Sequence, residues 1–184
     1  MEFPSRDAWA SWLLKHHDSS SGVWVKIAKK SSAIESVSYA DALDVALCHG
    51  WIDGQKDKLD ADCWLQRFTP RRPGSRWSQR NCAKALDLID KGEMRDAGLR
   101  EVERAKADGR WDAAYAGQSA ATVPDDLRRA LDRNNAAKKF FESLDSRNRY
   151  AILYRVQEAK KPETRARRIE QFVAMLHDGK KIHP

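Results

Sequence analysis

The chain has 184 residues, of which 41% are hydrophobic and 33% are charged, and its formal net charge is +7. This composition excludes a disordered protein, and no apolar run approaches the ~20 residues of a transmembrane helix. The excess of lysine and arginine favours an anionic partner without identifying one.

Three cysteines, Cys48, Cys63 and Cys82, are widely spaced and form no CxxC pair. An odd number at this spacing argues against a disulfide framework and against a metal site, so we predict buried free thiols, no metal and no cofactor. The segment MEFPSRDAWASW at the start of the sequence lacks the apolar core of a signal peptide. We therefore expect a cytoplasmic protein without membrane insertion.

The first predicted elements alternate between helix and strand. Trp9 and Leu13 fall on one face of a first helix. The alternating pattern of VWVKIAK predicts a strand near 23–29. Ser38, followed three residues later by Asp41, is typical of the start of a second helix, because the hydroxyl can accept from a free N–H group of the first turn.

After Gly50 the apolar period changes from helical to alternating. This change indicates that the second helix ends at the glycine and that a strand follows at once. We predict strands near 51–56 and 63–69, which are joined by a polar loop into an antiparallel hairpin. Ser78 then lies where an N-cap is needed for a third helix.

The second half of the chain has helical periodicity only. Ile169, Phe172 and Leu176, for example, recur at i, i+3 and i+7. Runs of strands and helices followed by helices alone are typical of an α+β fold. We predict an α+β lobe over 1–95 and an all-helical region over 96–184, either packed on that lobe or forming a small subdomain.

The densest cluster of cations lies just after the predicted hairpin. Between residues 66 and 81 there are five arginines and no acid. Arginine forks beside the N-terminus of a helix capped by Ser78 are well suited to a phosphate or carboxylate. The alternative is a solvated basic loop whose arginines pair with nearby acids. The arginines are Arg67, Arg71, Arg72, Arg76 and Arg80, and the nearby acids include Asp57, Asp60 and Asp62.

The hairpin geometry predicts a partner for one of these arginines. Side chains alternate along a strand, so if Trp64 and Phe68 pack with Ile52, Asp53 lies on the same face as Arg67. An Asp53–Arg67 pair is then expected across the two strands. The pair would either stabilise the sheet or orient the arginine for a ligand.

No catalytic motif stands out. Cys48 and His49 are neighbours, as are His16 and His17, and adjacent helical side chains rarely meet. The sequence has no GxGxxG, no phosphate-binding loop and no HExxH. Asp53 is the one candidate acid or base if the protein is an enzyme.

A second basic segment covers residues 160–168. Arg165 and Arg168 share a helical face there, which could bind the phosphates of nucleic acid. The commoner alternative is the solvated side of a helix that packs on the core. Aromatic residues do not alternate with these cations, so we expect nucleic acid to be an unlikely partner.

Several blocks of the sequence resemble the bacteriocin-protection, YdeI/OmpD-associated (OmdA) family. The likeness runs in order from about Trp9 to Leu176, and it implies a role in tolerance of antimicrobial peptides and bacteriocins and in envelope stress. The family supplies no reaction, cofactor or catalytic residue. The blocks are GVWVKIAKK, SYADALDVALCHGWIDG, RFTPRRPGSRWSQRN, DLIDKGEMRDAG, GRWDAAY and the helical segment from NNAAKKFFES to VAML. Residues in them are Lys29, Trp51, Asp53, Arg67, Thr69, Arg71, Ser75, Trp77, Ser78 and Asn81.

These observations leave three hypotheses. The first is a non-enzymatic stress-protection protein that binds a small anion or an acidic protein partner at residues 51–81. The second is an enzyme acting on a phosphorylated or carboxylated small molecule, with Asp53 as acid or base. The third is a nucleic-acid binder using residues 160–168. The candidate ligand-binding residues are Trp51, Asp53, Arg67, Thr69, Arg71, Ser75, Arg76, Trp77, Ser78 and Asn81.

Overall fold

Three strands form one antiparallel sheet in the first half of the chain. They are β1 (Val23–Ala28), β2 (Trp51–Lys58) and β3 (Cys63–Pro70). The strand at the centre is β3, so the order is β1-β3-β2. The predicted hairpin between the second and third strands is confirmed, with an irregularity in the register between Asp53 and Lys56.

The computed structural model describes residues 1–117 and 120–184, and these divide into two compact units, Met1–Ala114 and Tyr115–Pro184. The predicted α+β class is confirmed: within the described residues, the sheet lies in unit 1 and unit 2 is helical. The predicted domains, an α+β lobe over 1–95 and a helical region over 96–184, stay a prediction.

Three of the four helices of unit 1 begin directly after a serine that caps them. The hydroxyls of Ser5, Ser38 and Ser78 each accept a hydrogen bond from a first-turn N–H, which confirms the starts predicted at Ser38 and Ser78. Such a cap stabilises a helix by about 1 kcal/mol. The helices are α1 (Arg6–His16), α2 (Tyr39–Cys48), α3 (Gln79–Asp90) and α4 (Asp96–Ala107).

Unit 1 has an aromatic core under the inner face of the sheet. Val25 and Phe68 on that face are fully buried and pack with Trp9 and Leu13 of α1. The indole N–H of Trp9 donates to the carbonyl of Ala42 at 3.0 Å, so this buried tryptophan leaves no polar atom unsatisfied. Full burial of a side chain such as Val25, Leu13 or Phe68 stabilises the fold by about 1.5–3 kcal/mol.

Two glycines permit the close packing of α2, β2 and α4. Gly50 adopts φ +73° immediately after α2, a conformation that glycine tolerates, and β2 begins at the next residue. This confirms the predicted helix–strand junction. A Cβ on Gly98 would lie 2.5 Å from the carbonyl oxygen of Cys48, so only glycine allows α4 to approach the end of α2.

The four helices of unit 2 in the described residues pack around an apolar core. Pro162 occupies the first turn of the last helix, where its missing N–H leaves no hydrogen bond unmade. Leu127, Ile152 and Leu176 from three different helices are fully buried. The helices are α5 (Asp125–Asp132), α6 (Asn135–Ser143), α7 (Ser146–Glu158) and α8 (Pro162–His177).

All three cysteines are buried free thiols, as predicted. Within residues 1–117 and 120–184, no helix combines the length and the apolar character needed to cross a bilayer.

Candidate functional site

Asp53 does not pair with Arg67, so that prediction is wrong. Asp53 lies directly opposite Phe68 in the β2–β3 register, and directly opposed residues share a face. Asp53 is therefore on the inner face with Phe68, opposite to Arg67. Its carboxylate instead accepts a hydrogen bond from the Tyr39 hydroxyl at 2.6 Å.

Arg67 and Thr69 lie on the outer face of the sheet. The guanidinium of Arg67 is 5.8 Å from the ring centroid of Trp24, its partner in the β1–β3 register. Thr69 lies close to Gly22, where an added Cβ would meet its methyl group at 2.7 Å. These two predicted site residues thus belong to a different surface from Asp53.

Arg71 is not a solvated loop residue. Its side chain is buried, with 6% of the residue exposed, and its Cζ lies 3.6 Å from the centroid of the Trp77 ring. The guanidinium also donates to the carbonyl of Arg76 at 3.3 Å. The loop is held further by Arg110, which donates to the carbonyl of Ser75 at 2.6 Å. The loop therefore fixes one cation against an aromatic ring.

The N-terminus of α3 forms as predicted, but its capping hydroxyl is already in use. The Ser78 hydroxyl accepts from the N–H of Asn81 at 3.2 Å. Neither Ser78 nor Asn81 lines the small polar cavity whose wall includes Arg71. The predicted combination of arginine forks with this helix terminus is therefore not assembled around that cavity.

Two predicted site residues, Trp51 and Arg71, come together in the wall of a small polar cavity of about 120 Å³. We call it the His49 cavity. It lies where the ends of α1 and α2 meet the start of β2, the end of β3 and α4. Its lining residues are His17, Asp18, His49, Gly50, Trp51, Pro70, Arg71, Ala97, Arg100 and Glu101.

Backbone contacts hold the wall of the His49 cavity in place. The indole N–H of Trp51 donates to the carbonyl of His17 at 3.1 Å, which ties the end of α1 to the start of β2. The N–H of Arg71 donates to the carbonyl of Gly50 at 2.9 Å, which ties the arginine loop to the same junction. The rings of His17 and His49 lie 5.2 Å apart, centroid to centroid.

His49 is a buried titratable residue with an unsatisfied ring nitrogen. Only 5% of the residue is exposed, and its Nδ1 has no hydrogen-bond partner among the described residues. Burial lowers the pKa of His49, and together with the smaller effects of the nearby His17 and Arg95 it brings the pKa to about 4. The imidazole is therefore neutral at pH 7, with one donor and one acceptor nitrogen.

The cavity wall contains charges of both signs. Arg71 and Arg100 supply the cations, whereas Asp18 and Glu101 supply carboxylates. The Glu101 side chain is 16% exposed and forms an ion pair with Arg104 one turn along α4. This arrangement offers a small ligand both hydrogen-bond donors and acceptors.

Sequence reasoning missed His17, His49, Arg100 and Glu101. In the sequence each of the two histidines stands in an adjacent pair, whereas the structure brings together one histidine from each of two distant segments. The one local signal was the junction at Gly50, which places a histidine at the end of a helix directly before a strand.

In unit 2, cations of the 160–168 segment are engaged with neighbouring groups. Arg165 donates to both carboxylate oxygens of Asp126, at 2.5 and 3.0 Å. Arg168 donates to the carbonyl of Arg155 at 2.5 Å. These contacts fit a structural role for both arginines, and nucleic-acid binding stays an untested prediction. A larger and mainly apolar groove of about 790 Å³ lies beside Arg165, between α5 and α8.

Two family models match different parts of the chain. Residues 1–101 match the family described as Domain of unknown function (DUF8412). The chain belongs to this family. Residues 120–179 match the family described as Bacteriocin-protection, YdeI or OmpD-Associated (OmdA), so the predicted resemblance is confirmed over this part of the chain.

The candidate site lies in the part of the chain that matches DUF8412, not in the part that matches OmdA. Every candidate site residue and every residue that lines the His49 cavity lies within residues 1–101. The OmdA match instead covers helices of unit 2. No curated protein and no solved structure matches the chain.

Proposed function

We propose that the chain is a non-enzymatic stress-protection protein of the bacteriocin-protection type, and that its N-terminal unit binds a small anion in the His49 cavity. One observation carries the binding site: a buried histidine with an unsatisfied ring nitrogen shares a cavity wall with two arginines. Buried polar groups without partners are rare in folded proteins, and a bound ligand is one way to satisfy them.

The type of function rests on the OmdA match over residues 120–179. Direct capture of a cationic peptide is disfavoured, because the chain itself carries a net charge of +7. An anion that regulates the protein is electrostatically compatible with the same charge. The small volume of the cavity also favours an ion over an acidic segment of a partner protein.

The chemistry of the site supports binding rather than catalysis. Cys48, the nucleophilic residue nearest to His49 in the sequence, has its pKa raised to about 11 by burial, so its reactive thiolate is scarce. Asp53 bonds to Tyr39 and does not line the cavity. The enzyme hypothesis therefore gains no support from the position of its only proposed acid or base.

An anion panel tests the binding site. Thermal unfolding would be followed by tryptophan fluorescence at constant ionic strength while chloride is exchanged for other anions. All seven tryptophans lie in unit 1, so the signal reports on the unit that contains the cavity. We expect at least one small anion to raise the melting temperature saturably, because a ligand selective for the folded state stabilises it.

Two matched variants locate the effect. Arg100→Gln removes an exposed cation from the cavity wall and should weaken anion binding several-fold. Arg80→Gln removes an exposed cation from the first turn of α3, outside the wall, and should leave binding unchanged. If Arg80→Gln weakens binding and Arg100→Gln does not, the anion binds at the helix terminus and the His49 cavity is not the site.

A survival assay tests the type of function. Expression of the chain in a bacteriocin-sensitive bacterium should raise survival after challenge, and expression of Arg100→Gln should raise it less. Equal survival with and without the chain, at matched expression, would contradict a protective role.

A further inference from the structure

We infer that the groove between α5 and α8 of unit 2 is a second binding site, which takes a neutral, mainly apolar small molecule with a hydrogen-bond acceptor at one end. The groove uses none of the residues of the His49 cavity. Its lining residues lie within residues 120–179, the part of the chain that matches OmdA. The inference goes beyond the anion site proposed for unit 1, and either can fail without the other.

Contacts at both ends hold α5 and α8 side by side. Near the start of both helices, Arg165 donates to both carboxylate oxygens of Asp126. Beyond the end of α5, the side-chain oxygen of Asn134 lies 3.2 Å from Nδ1 of His177, the last residue of α8. Arg165 and His177 are about 18 Å apart along the helix. The groove runs between these two contacts, so both of its ends are fixed.

Small apolar side chains make the groove concave. Ile169 in its floor is 6% exposed and belongs to the core of unit 2, and Val173 packs on the same core. Alanines border this floor on both helices, and longer side chains there would occupy the space. The volume of about 790 Å³ lies within the ~300–1,000 Å³ that is typical of small-molecule sites. The alanines are Ala130, Ala166 and Ala174.

The charges in the wall compensate one another. Two acids of the wall are already paired with cations, and one cation and one acid remain. The wall therefore offers no net charge to a ligand, and taking a charged ligand out of water would cost free energy without a compensating partner. A neutral ligand avoids this cost. The pairs are Asp126 with Arg165 and Asp178 with Lys180, and the remaining two residues are Arg133 and Glu170.

The surface around the groove favours a small molecule over a protein helix. A helix that docks in a groove is held by large apolar side chains on both partners. Among the residues of unit 2 that the structure describes, no large apolar side chain is exposed. The apolar part of the groove is therefore confined to its floor, where a flat apolar molecule can lie.

One end of the groove has a hydrogen-bond donor that the protein does not use. The Oδ1 atom of Asn134 accepts from the N–H of Ala137 at 3.1 Å, which fixes the orientation of the amide. Asn134 is half-buried, and its Nδ2 is open to solvent without a partner among the described residues. A carbonyl oxygen or another acceptor on the ligand would satisfy this donor.

Titration of the isotopically labelled full chain with three naphthalenes of similar size, followed by nuclear magnetic resonance, tests the inference. Acetylnaphthalene is neutral and has an acceptor, naphthoate is an anion, and ethylnaphthalene has neither charge nor acceptor. We expect acetylnaphthalene to cause saturable shifts of the amides of Ala130 and Val173. It should bind about ten-fold or more tightly than naphthoate, because the groove does not compensate a charge.

Asn134→Asp tests the role of the donor. Aspartate caps a helix as well as asparagine does, but it lacks the amide N–H groups. The affinity for acetylnaphthalene should fall roughly two- to ten-fold, as expected for one lost hydrogen bond. The affinity for ethylnaphthalene, which has no acceptor, should be unchanged.

Ala174→Leu tests the position of the site, because the longer side chain would fill the groove. It should weaken binding of acetylnaphthalene and ethylnaphthalene by about ten-fold or more. Ala136→Leu is the matched control, since Ala136 is an exposed alanine of α6 that does not line the groove. Both changes are at exposed positions, and circular dichroism checks that both variants fold.

Each outcome decides the inference. Preference for acetylnaphthalene over naphthoate, reduced affinity in Asn134→Asp and loss of binding in Ala174→Leu alone support it. Tighter binding of naphthoate overturns the neutral class, and an unchanged affinity in Asn134→Asp overturns the acceptor. Absence of shifts at Ala130 and Val173, or equal binding by the two alanine variants, overturns the site. Dimerisation that Ala174→Leu abolishes in a sedimentation experiment would assign the groove to a second copy of the chain and overturn the inference as well.

Discussion

Units 1 and 2 each bury a polar side chain, but only one of the two side chains is fully satisfied. In unit 2, Asn148 donates to Asp145 at 2.9 Å and accepts from the backbone N–H groups of Ile182 and His183 at 3.1 and 2.8 Å. In unit 1, His49 is buried to a similar degree, and its Nδ1 has no partner among the described residues. The contrast separates a buried polar residue whose hydrogen bonds are complete from one that has an unused ring nitrogen.

The arginines of the two units contact different kinds of group. In unit 2, Arg165 forms a two-pronged pair with Asp126, which neutralises its charge locally. In unit 1, Arg71 is held by an aromatic ring and a backbone carbonyl and lines a cavity. A cluster of cations in the sequence therefore does not by itself indicate a binding site; the groups around each cation decide.

The core of unit 1 should show the largest mutational effect. Trp9→Ala removes a side chain with 0% exposure that packs with Phe3, Trp51 and Phe68, so we expect a loss of about 3–5 kcal/mol in the free energy of unfolding. Urea denaturation followed by fluorescence measures this loss. Leu14→Ala, an exposed change on the same helix, should cost less than about 0.5 kcal/mol.

Acid should destabilise unit 1 before unit 2. The pKa of His49 is lowered from 6.5 in the unfolded chain to about 4 in the folded one, so its contribution is complete above pH 6.5 and is lost as pH falls towards 4. This difference corresponds to roughly 3 kcal/mol. In unit 2 the shifted acids Asp126 and Asp145 have their pKa lowered below 3.8, so they titrate at still lower pH.

Fluorescence-detected urea denaturation at several pH values between 7 and 4 measures this effect. His49→Gln should remove most of the pH dependence of unit 1 in that range, because glutamine does not titrate. An unchanged pH dependence in this variant would contradict the assignment to His49.

Close packing at the helix–strand junction predicts a smaller effect. In Gly98→Ala the new Cβ would lie 2.5 and 2.7 Å from two backbone oxygens, so we expect a loss of about 1–3 kcal/mol in unfolding free energy. Gly74→Ala is the control, since nothing lies within 4 Å of its added Cβ. Equal stabilities of the two variants would show that α4 does not pack tightly on α2.

The smallest effect should come from the ion pair of unit 2. Asp126→Asn breaks the pair with Arg165. The side chain of Asp126 is 36% exposed and that of Arg165 is 27% exposed, so we expect the free energy of unfolding to fall by about 1 kcal/mol or less. Unit 2 lacks tryptophan, so tryptophan fluorescence does not report on its unfolding, and circular dichroism is used instead. A loss as large as that of Trp9→Ala would remove the proposed contrast between the units.

The sequence predicted the features that depend on local signals. The caps at Ser38 and Ser78 and the junction at Gly50 are determined within a few residues, and all three are confirmed. The orientation of Asp53 was not predictable, because it depends on which residue of β3 lies opposite to it. A shift of one residue in register reverses the face on which a side chain lies.

Local signals in the sequence could not predict the His49 cavity either. His17, His49, Arg71 and Glu101 come from four separate segments, and only tertiary packing brings them together. Their spacing along the chain forms no motif. The arginine-rich segment includes one residue of the cavity wall, Arg71. Its sequence does not show that Arg71 is buried while Arg72 is exposed.

We propose above all that an anion binds beside His49. Nuclear magnetic resonance of the histidine rings during a phosphate titration tests it most directly, since the chain has five histidines and only His17 and His49 line the cavity. We expect saturable shifts of these two rings and no change at His177 and His183 in unit 2. Shifts of equal size at all five rings, or none at His49, would contradict it.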